Sequence, residues 1–152
     1  MGKSTRSAVF AGIVAAAAVG QAAAPVYRDD IEKSTDNNTD FRKVLFTGQN
    51  IQIVAMALRP GEEIGAEVHK VDQCFFVTEG TGKAVIDGTA SRIGEHSVLC
   101  VPAGTRHNIR NDGSDSLKLF TTYAPPEHPP GTVHHTKAEA QEAEKAAEHP
   151  SK

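Results

Sequence analysis

The sequence predicts an all-β domain, and three observations lead to that prediction. Short β-prone runs follow one another through residues 41–124, turn residues separate them at close intervals, and no helical periodicity interrupts them. Short strands with glycine-rich turns are typical of a β-sandwich or a closed barrel. The whole chain has 152 residues, which suits one domain with a core supplied by this region.

The individual strands follow from apolar runs and the turns between them. Residues 51–58 are apolar on both faces, which indicates a central strand. Asp87 and Gly88 separate two short runs and predict a two-residue hairpin, because both turn positions need a positive φ. The predicted strands are residues 42–46, 51–58, 73–78, 83–86, 89–93, 97–101, 107–110 and 117–123.

The N-terminal segment differs from this β region. Residues 1–24 have a basic start that contains Lys3 and Arg6, then an Ala-rich apolar run, and then small residues. This pattern predicts a secretory signal peptide that is cleaved after Ala22. The run is shorter than the ~20 residues that cross a bilayer, so we expect no stable membrane insertion. An upstream start codon and an uncleaved, weakly anchoring helix are the alternatives. The prediction is a periplasmic or secreted protein, with residues 25–40 as an N-terminal arm.

The C-terminal segment, residues 125–152, is predicted to be a Pro-rich stretch followed by a short, exposed helical tail. Thr136 and Glu139 have the spacing of a capping box at a helix start. Residues 137–148 are rich in Ala, Glu and Lys and have almost no apolar face. We therefore expect this helix to bury little surface and to contribute little stability.

The composition argues against nucleic acid as a binding partner. The formal net charge is -3, and there is no Trp and only two Tyr. Neither a basic stripe nor an aromatic stacking platform is present, so nucleic acid is not an expected partner.

The two cysteines, Cys74 and Cys100, both lie in strand-like apolar runs. An exported protein can pair two cysteines in a disulfide. We nevertheless expect two separate buried thiols, because a free Cys behaves as a small hydrophobic residue.

The candidates for chemistry are Glu67, His69, Gln73 and His107. The first three are separated by two and then four positions, and even spacing places side chains on one face of an extended chain. Burying an unpaired carboxylate is costly, and a divalent cation would offset its charge. Two His and one carboxylate with open positions form the facial arrangement of non-haem Fe(II) sites. Gln73 would be a fourth ligand or an outer hydrogen-bonding partner.

Two stretches of the chain resemble the paired motifs of the cupin superfamily. Residues 61–80 resemble G-x5-H-x-H-x3-E-x6-G, with Glu67 at the first His position and Gln73 at the Glu position. Residues 94–111 resemble G-x5-P-x-G-x2-H-x3-N, with an interval before the proline that is two residues longer. The second motif is matched by Pro102, Gly104, His107 and Asn111.

The resemblance implies a small single-domain double-stranded β-helix, or jelly-roll barrel, with metal ligands pointing into its lumen. Carried over by position, the ligands are Glu67, His69, Gln73 and His107, a variant set that favours Mn, Fe or Zn over Cu. Asn111 is expected to be a turn residue rather than a substrate contact. Small cupins often pair, so the resemblance also suggests a homodimer.

Several functions are compatible with such a barrel. The first is a metal-dependent enzyme that acts on a small sugar-like, carbonyl or organic acid substrate by isomerase- or dioxygenase-type chemistry. The alternative is a non-catalytic barrel that binds a sugar or another small ligand. Storage or sensing is a third, although the absence of a helix-turn-helix segment argues against a DNA-binding regulator.

Overall fold

Two antiparallel sheets and two helices make up the computed structural model, which describes residues 25–148. The predicted signal peptide, residues 1–24, lies outside the described residues. The strands are β1 (Arg42–Thr47), β2 (Gln52–Leu58), β3 (Asp72–Glu79), β4 (Thr81–Ile86), β5 (Thr89–Gly94), β6 (Val98–Val101), β7 (His107–Arg110), β8 (Leu117–Ala124) and β9 (Val133–His134). The helices are α1 (Ile31–Asp36) and α2 (Lys137–Glu148).

The sheet order brings distant parts of the chain together. The larger sheet has the order β6-β3-β8-β2-β1-β9, and the smaller sheet has the order β5-β4-β7. β8 lies between β2 and β3 and pairs with both along its length. The predicted all-β class and the double-stranded β-helix are confirmed, with a short helix at the C-terminal end.

The inner face of the barrel is apolar with a few polar exceptions. The core includes Val54, Met56 and Leu58 of β2, as the prediction of a central strand requires. β3 alternates between the two faces, so that Gln73 points inward beside Phe75. The strand register therefore carries one amide side chain into an otherwise apolar interior.

The predicted hairpin between β4 and β5 is confirmed. Asp87 and Gly88 have φ values of 47° and 83°, and Ile86 pairs with Thr89 across the turn. A positive φ at both positions is the backbone that a two-residue loop between right-twisted strands requires.

The expectation of two separate thiols is wrong, because Cys74 and Cys100 form a disulfide. The two residues face each other on the antiparallel strands β3 and β6, and their Cα atoms are 4.0 Å apart. Cross-strand partners are close enough to be bridged. The sequence alone did not establish that β3 and β6 are neighbours.

The C-terminal tail lies against the barrel. α2 is exposed at most positions, as expected, but its Ala140 is buried and its Glu144 carboxylate accepts a hydrogen bond of 2.8 Å from Arg42 of β1. The Thr136 hydroxyl accepts a hydrogen bond from the amide of Glu139 at 3.2 Å, which caps the helix start. The helix therefore buries little surface, as expected, and the contact with Arg42 was not part of that expectation. Between residues 25 and 148, neither helix has the length and apolar content needed to cross a membrane.

Candidate metal centre

The four side chains expected to form the site converge inside the barrel. Gln73 lies on β3 and His107 begins β7. An isolated bridge joins Glu67 to His107 through two backbone hydrogen bonds, of 2.9 and 3.0 Å. This bridge continues the smaller sheet beyond β7 and aligns the loop that also carries His69.

Their potential ligand atoms lie at distances that one ion can bridge. The carboxylate of Glu67 is 3.0 Å from His69 Nε2, and the Gln73 Oε1 atom is 2.9 Å from His107 Nε2. One ligand atom from each of Glu67, His69 and His107 can be chosen so that all lie within 4.8 Å of one another. Two ligands about 2.1 Å from one ion and at right angles are about 3.0 Å apart. The spacing therefore fits a single cation.

Both imidazoles are oriented by a contact on their outer nitrogen. His69 Nδ1 lies 3.1 Å from the carboxylate of Glu127, and His107 Nδ1 lies 3.0 Å from the backbone oxygen of Thr105. A proton on each Nδ1 donates to these oxygens and leaves each Nε2 lone pair directed at the cluster. This is the arrangement that holds metal-ligating histidines in proteins.

The charge state of His69 reflects its carboxylate neighbours. Burial lowers the pKa of His69, but hydrogen bonds and charges from Glu67 and Glu127 outweigh burial, and the net pKa is raised. The two carboxylates thus favour positive charge at this position, whether it comes from a proton or from a cation that replaces it.

Gln73 has hydrogen-bonding capacity that its surroundings do not satisfy. Its side chain is buried, and within the described residues its Nε2 atom has no partner. With the proton of His107 on Nδ1, the Gln73 oxygen and the His107 Nε2 atom are two acceptors in contact. If the Gln73 amide is rotated, its nitrogen donates to His107 but its oxygen is left without a partner, so neither orientation satisfies both atoms. A cation bound by the Gln73 oxygen and His107 Nε2 would remove the repulsion between these two lone pairs, so the residues fit a metal ion.

Aromatic rings pack against both imidazoles of the cluster. Tyr123 packs edge-on against His69 at 5.5 Å between ring centroids, and Phe75 packs against His107 at 5.7 Å. Burial raises the pKa of Tyr123 well above its usual range. This phenol therefore stays protonated and adds no charge to the site.

Sequence reasoning missed two charged residues beside the cluster. Arg42 is buried, with its guanidinium 3.8 Å from Glu67, and Glu127 contacts His69 from the Pro-rich segment. Arg42 could have been noticed, because it shares the inward face of β1 with Val44 at a spacing of two. No local pattern marks Glu127, which is 58 positions from its partner.

Asn111 has a structural role, as expected. Its amide donates to the backbone oxygens of Leu58 and Asp115 at 2.9 and 2.8 Å, and its oxygen accepts from the amide of Gly113 at 3.0 Å. Two of these contacts hold the turn after β7, and the third joins that turn to the end of β2.

The fold and this cluster define a small β-barrel protein with an acid, two imidazoles and an amide facing its interior. Residues 54–123 match the family model described as "Cupin domain". The chain belongs to the cupin family.

Three similar proteins are 37% to 42% identical to this chain over the aligned residues. It is 42% identical over 122 residues to the uncharacterized protein YrkC of Bacillus subtilis, covering 76% of this chain and 66% of the relative. The crystal structure of BH2720 from Bacillus halodurans superimposes with a TM-score of 0.75 at 40% identity, covering 76% of this chain and 93% of that one. The chain is also 37% identical over 71 residues to a 5-aminosalicylate 1,2-dioxygenase of a Comamonas species, covering 47% of this chain and 19% of that enzyme. It thus spans about two thirds of YrkC and a small part of the dioxygenase.

Proposed function

We propose that this protein is a metal-dependent enzyme that acts on a small organic substrate. Glu67, His69 and His107 would hold a divalent ion, Mn, Fe or Zn, with Gln73 as a fourth ligand or an outer partner. The observation that supports the proposal is the convergence of a carboxylate and two imidazoles, with ligand atoms within 4.8 Å of one another. The Nδ1 atom of each imidazole contacts an oxygen outside the cluster.

Dioxygenase-type chemistry is the branch that we favour over isomerisation. Two His and one carboxylate leave positions open on the ion and are the ligand set of non-haem Fe(II) oxygenases. When bound, such an ion supplies a Lewis acid and a place for dioxygen. The similarity to part of a 5-aminosalicylate 1,2-dioxygenase supports this branch.

The chain's own residues supply the surroundings of the reaction. Glu127 and Thr105 contact the outer nitrogen of the two imidazoles, and Tyr123 and Phe75 pack against the two rings. Groups that are fixed in place before the reaction need little reorganisation when it occurs.

Metal analysis of protein purified without a His-tag tests this proposal. We expect about one metal ion per chain in the wild type and almost none in the His69→Ala/His107→Ala double variant. His96→Asn is the matched control, because His96 is exposed and has a φ of 67°, a backbone that Asn tolerates. Equal metal in the wild type and the double variant would remove the proposed centre. Oxygen uptake by the Fe(II)-loaded protein with 5-aminosalicylate then tests the dioxygenase branch.

The proposed place of action is outside the cytoplasm. The signal-like residues 1–24 support export, and the Cys74–Cys100 disulfide supports an oxidising compartment. Mass analysis of the mature protein from a periplasmic or culture fraction should give a chain that begins at Ala23. A cytoplasmic chain that retains Met1 would contradict export.

A further inference from the structure

A cavity of about 430 Å³ lies beside the metal-binding cluster, between the barrel and the C-terminal tail. Arg42 of β1, Glu127 of the Pro-rich segment and Glu144 of α2 all line it. Two of these residues also contact the cluster, since Glu127 hydrogen-bonds to His69 and the Arg42 guanidinium lies 3.8 Å from Glu67. The cavity is therefore next to the candidate metal centre and shares walls with it.

Arg42 is a buried charge with few hydrogen bonds in this cavity. Its side chain is only 3% exposed, yet among the described residues it donates one hydrogen bond, to Glu144, and its Nε atom has no partner. A guanidinium has five N–H donors in a planar fork that matches both oxygens of a carboxylate. A buried guanidinium with one hydrogen bond has unused capacity for such a ligand.

Glu144 already places a carboxylate on Arg42, but through a weak attachment. Its side chain is 49% exposed, and Ala140 is the buried residue of the helix that carries it. The contact uses one carboxylate oxygen on one guanidinium nitrogen, at 2.8 Å. Because the Glu144 carboxylate is half exposed, it regains hydration when it leaves Arg42, so a ligand carboxylate inside the cavity can compete with it.

The cavity is also lined by the carboxylates of Glu127, which contacts His69, and of Glu148, which is exposed to solvent, and by two imidazoles. His128 Nε2 and His134 Nδ1 belong to these imidazoles, and neither atom has a hydrogen-bond partner among the described residues. Burial, followed by the charge of Arg42, lowers the pKa of His128 to about 3 and also lowers the pKa of His134. Both imidazoles are then neutral near pH 7.5, and Arg42 is the one positive charge among the described lining residues.

We infer that Arg42 binds the carboxylate of a small organic acid, and that Glu144 occupies the guanidinium until this ligand displaces it. Calling the acid a substrate rests on the proposed enzymatic function. The carboxylate site itself depends on Arg42 and Glu144, and it exists in the protein with or without a metal ion.

Isothermal titration calorimetry with salicylate and its uncharged analogue salicylamide tests this inference on the full chain, both metal-free and metal-loaded. We expect metal-free wild type to bind salicylate at least about tenfold more tightly than salicylamide, as charge-assisted hydrogen bonds imply. Arg42→Gln should abolish this preference. Lys43→Gln is the matched control, because it removes the same charge from the exposed face of β1 and should leave the preference intact.

The Glu144→Gln variant provides a second test, which changes a half-exposed side chain and leaves the buried Arg42 in place. Removing the competing carboxylate should tighten salicylate binding by about twofold to fivefold and leave salicylamide binding unchanged. Glu142→Gln, on the exposed surface of the same helix, should change neither. If Arg42→Gln fails to fold by circular dichroism, this arm decides the question.

The results that overturn the inference are separate from those that overturn the proposed function. Equal dissociation constants for the two probes in the wild type, or a salicylate constant that Glu144→Gln leaves unchanged, would refute the carboxylate site. A protein that binds no metal but prefers salicylate in metal-free form would refute the proposed enzyme and support the carboxylate site.

Discussion

The site is built from two regions that differ in how firmly they are held. Gln73 and His107 come from the barrel, are 1% and 2% exposed, and lie on strands that are paired with neighbouring strands. Glu127 and Glu144 come from the C-terminal tail, and their side chains are 32% and 49% exposed. The comparison indicates that paired strands fix Gln73 and His107, whereas the tail supplies adjustable partners around the cluster.

The physical reason is the number of restraints on each side chain. A residue on a paired strand is positioned by backbone hydrogen bonds and by packing on both sides. A residue on a short, mostly exposed helix is positioned by a few contacts, each of which contributes little. Changes in the tail are therefore expected to tune ligand binding, and changes in the barrel to remove the metal centre.

The largest effect that sharpens this comparison comes from two matched Glu→Gln substitutions. Glu67→Gln removes the carboxylate expected to contact the ion and should weaken metal affinity by more than about 100-fold. Glu127→Gln removes the carboxylate behind His69 and should weaken it by about 10- to 100-fold, the usual effect of an orienting partner. Competition with a chromogenic chelator measures both affinities.

An exposed acid provides the control for this pair. Glu95→Gln removes a charge from a side chain that is 63% exposed and should leave metal affinity unchanged. A Glu127 variant that loses as much affinity as the Glu67 variant would break the distinction between the two regions.

A smaller effect is expected from pH, through the contact between the tail and the barrel. The exposed His135 imidazole hydrogen-bonds to Asp40 at 2.6 Å, and this bond, followed by the charges of Asp40 and Glu139, raises the pKa of His135. A raised pKa in the folded protein means that the contact contributes fully below about pH 6.5 and is lost as pH rises through the raised value. The protection of α2 amides from hydrogen exchange, corrected for intrinsic rates, should therefore fall modestly between about pH 6 and pH 8.

The Asp40→Asn variant separates this contact from other pH effects. It should show low α2 protection at both pH values, because the charged partner of His135 is gone. Protection that rises with pH in the wild type would show that the tail is held in another way.

Features that depend on neighbouring residues were predictable from the sequence, whereas features that depend on residues far apart in the chain were less so. The Asp87-Gly88 hairpin and the central strand followed from local patterns and are confirmed. The convergence of Glu67, His69 and Gln73 was expected from even spacing along an extended chain, yet only Gln73 of the three lies in a regular strand. Their convergence is completed by the bridge from Glu67 to His107.

Three features of the site's surroundings were not predicted, and all three depend on long-range contacts. The Cys74–Cys100 disulfide requires β3 and β6 to be neighbours. The partners of Arg42 and His69 come from α2 and the Pro-rich segment, at sequence separations of 102 and 58. Contacts over such distances leave no periodic pattern in the chain.

By itself, the sequence determined the all-β class, the order of the strands along the chain and the shared face of Glu67, His69 and Gln73, and the resemblance to the cupin motifs added His107 to this set. Alternation of side chains and turn chemistry are local properties, so they can be read from neighbouring residues. Only the tertiary structure decided that the cysteines pair, that Glu127 orients His69, and that Arg42 is buried under the tail with a single hydrogen bond. These features depend on which distant segments pack together, and packing is a property of the whole folded chain.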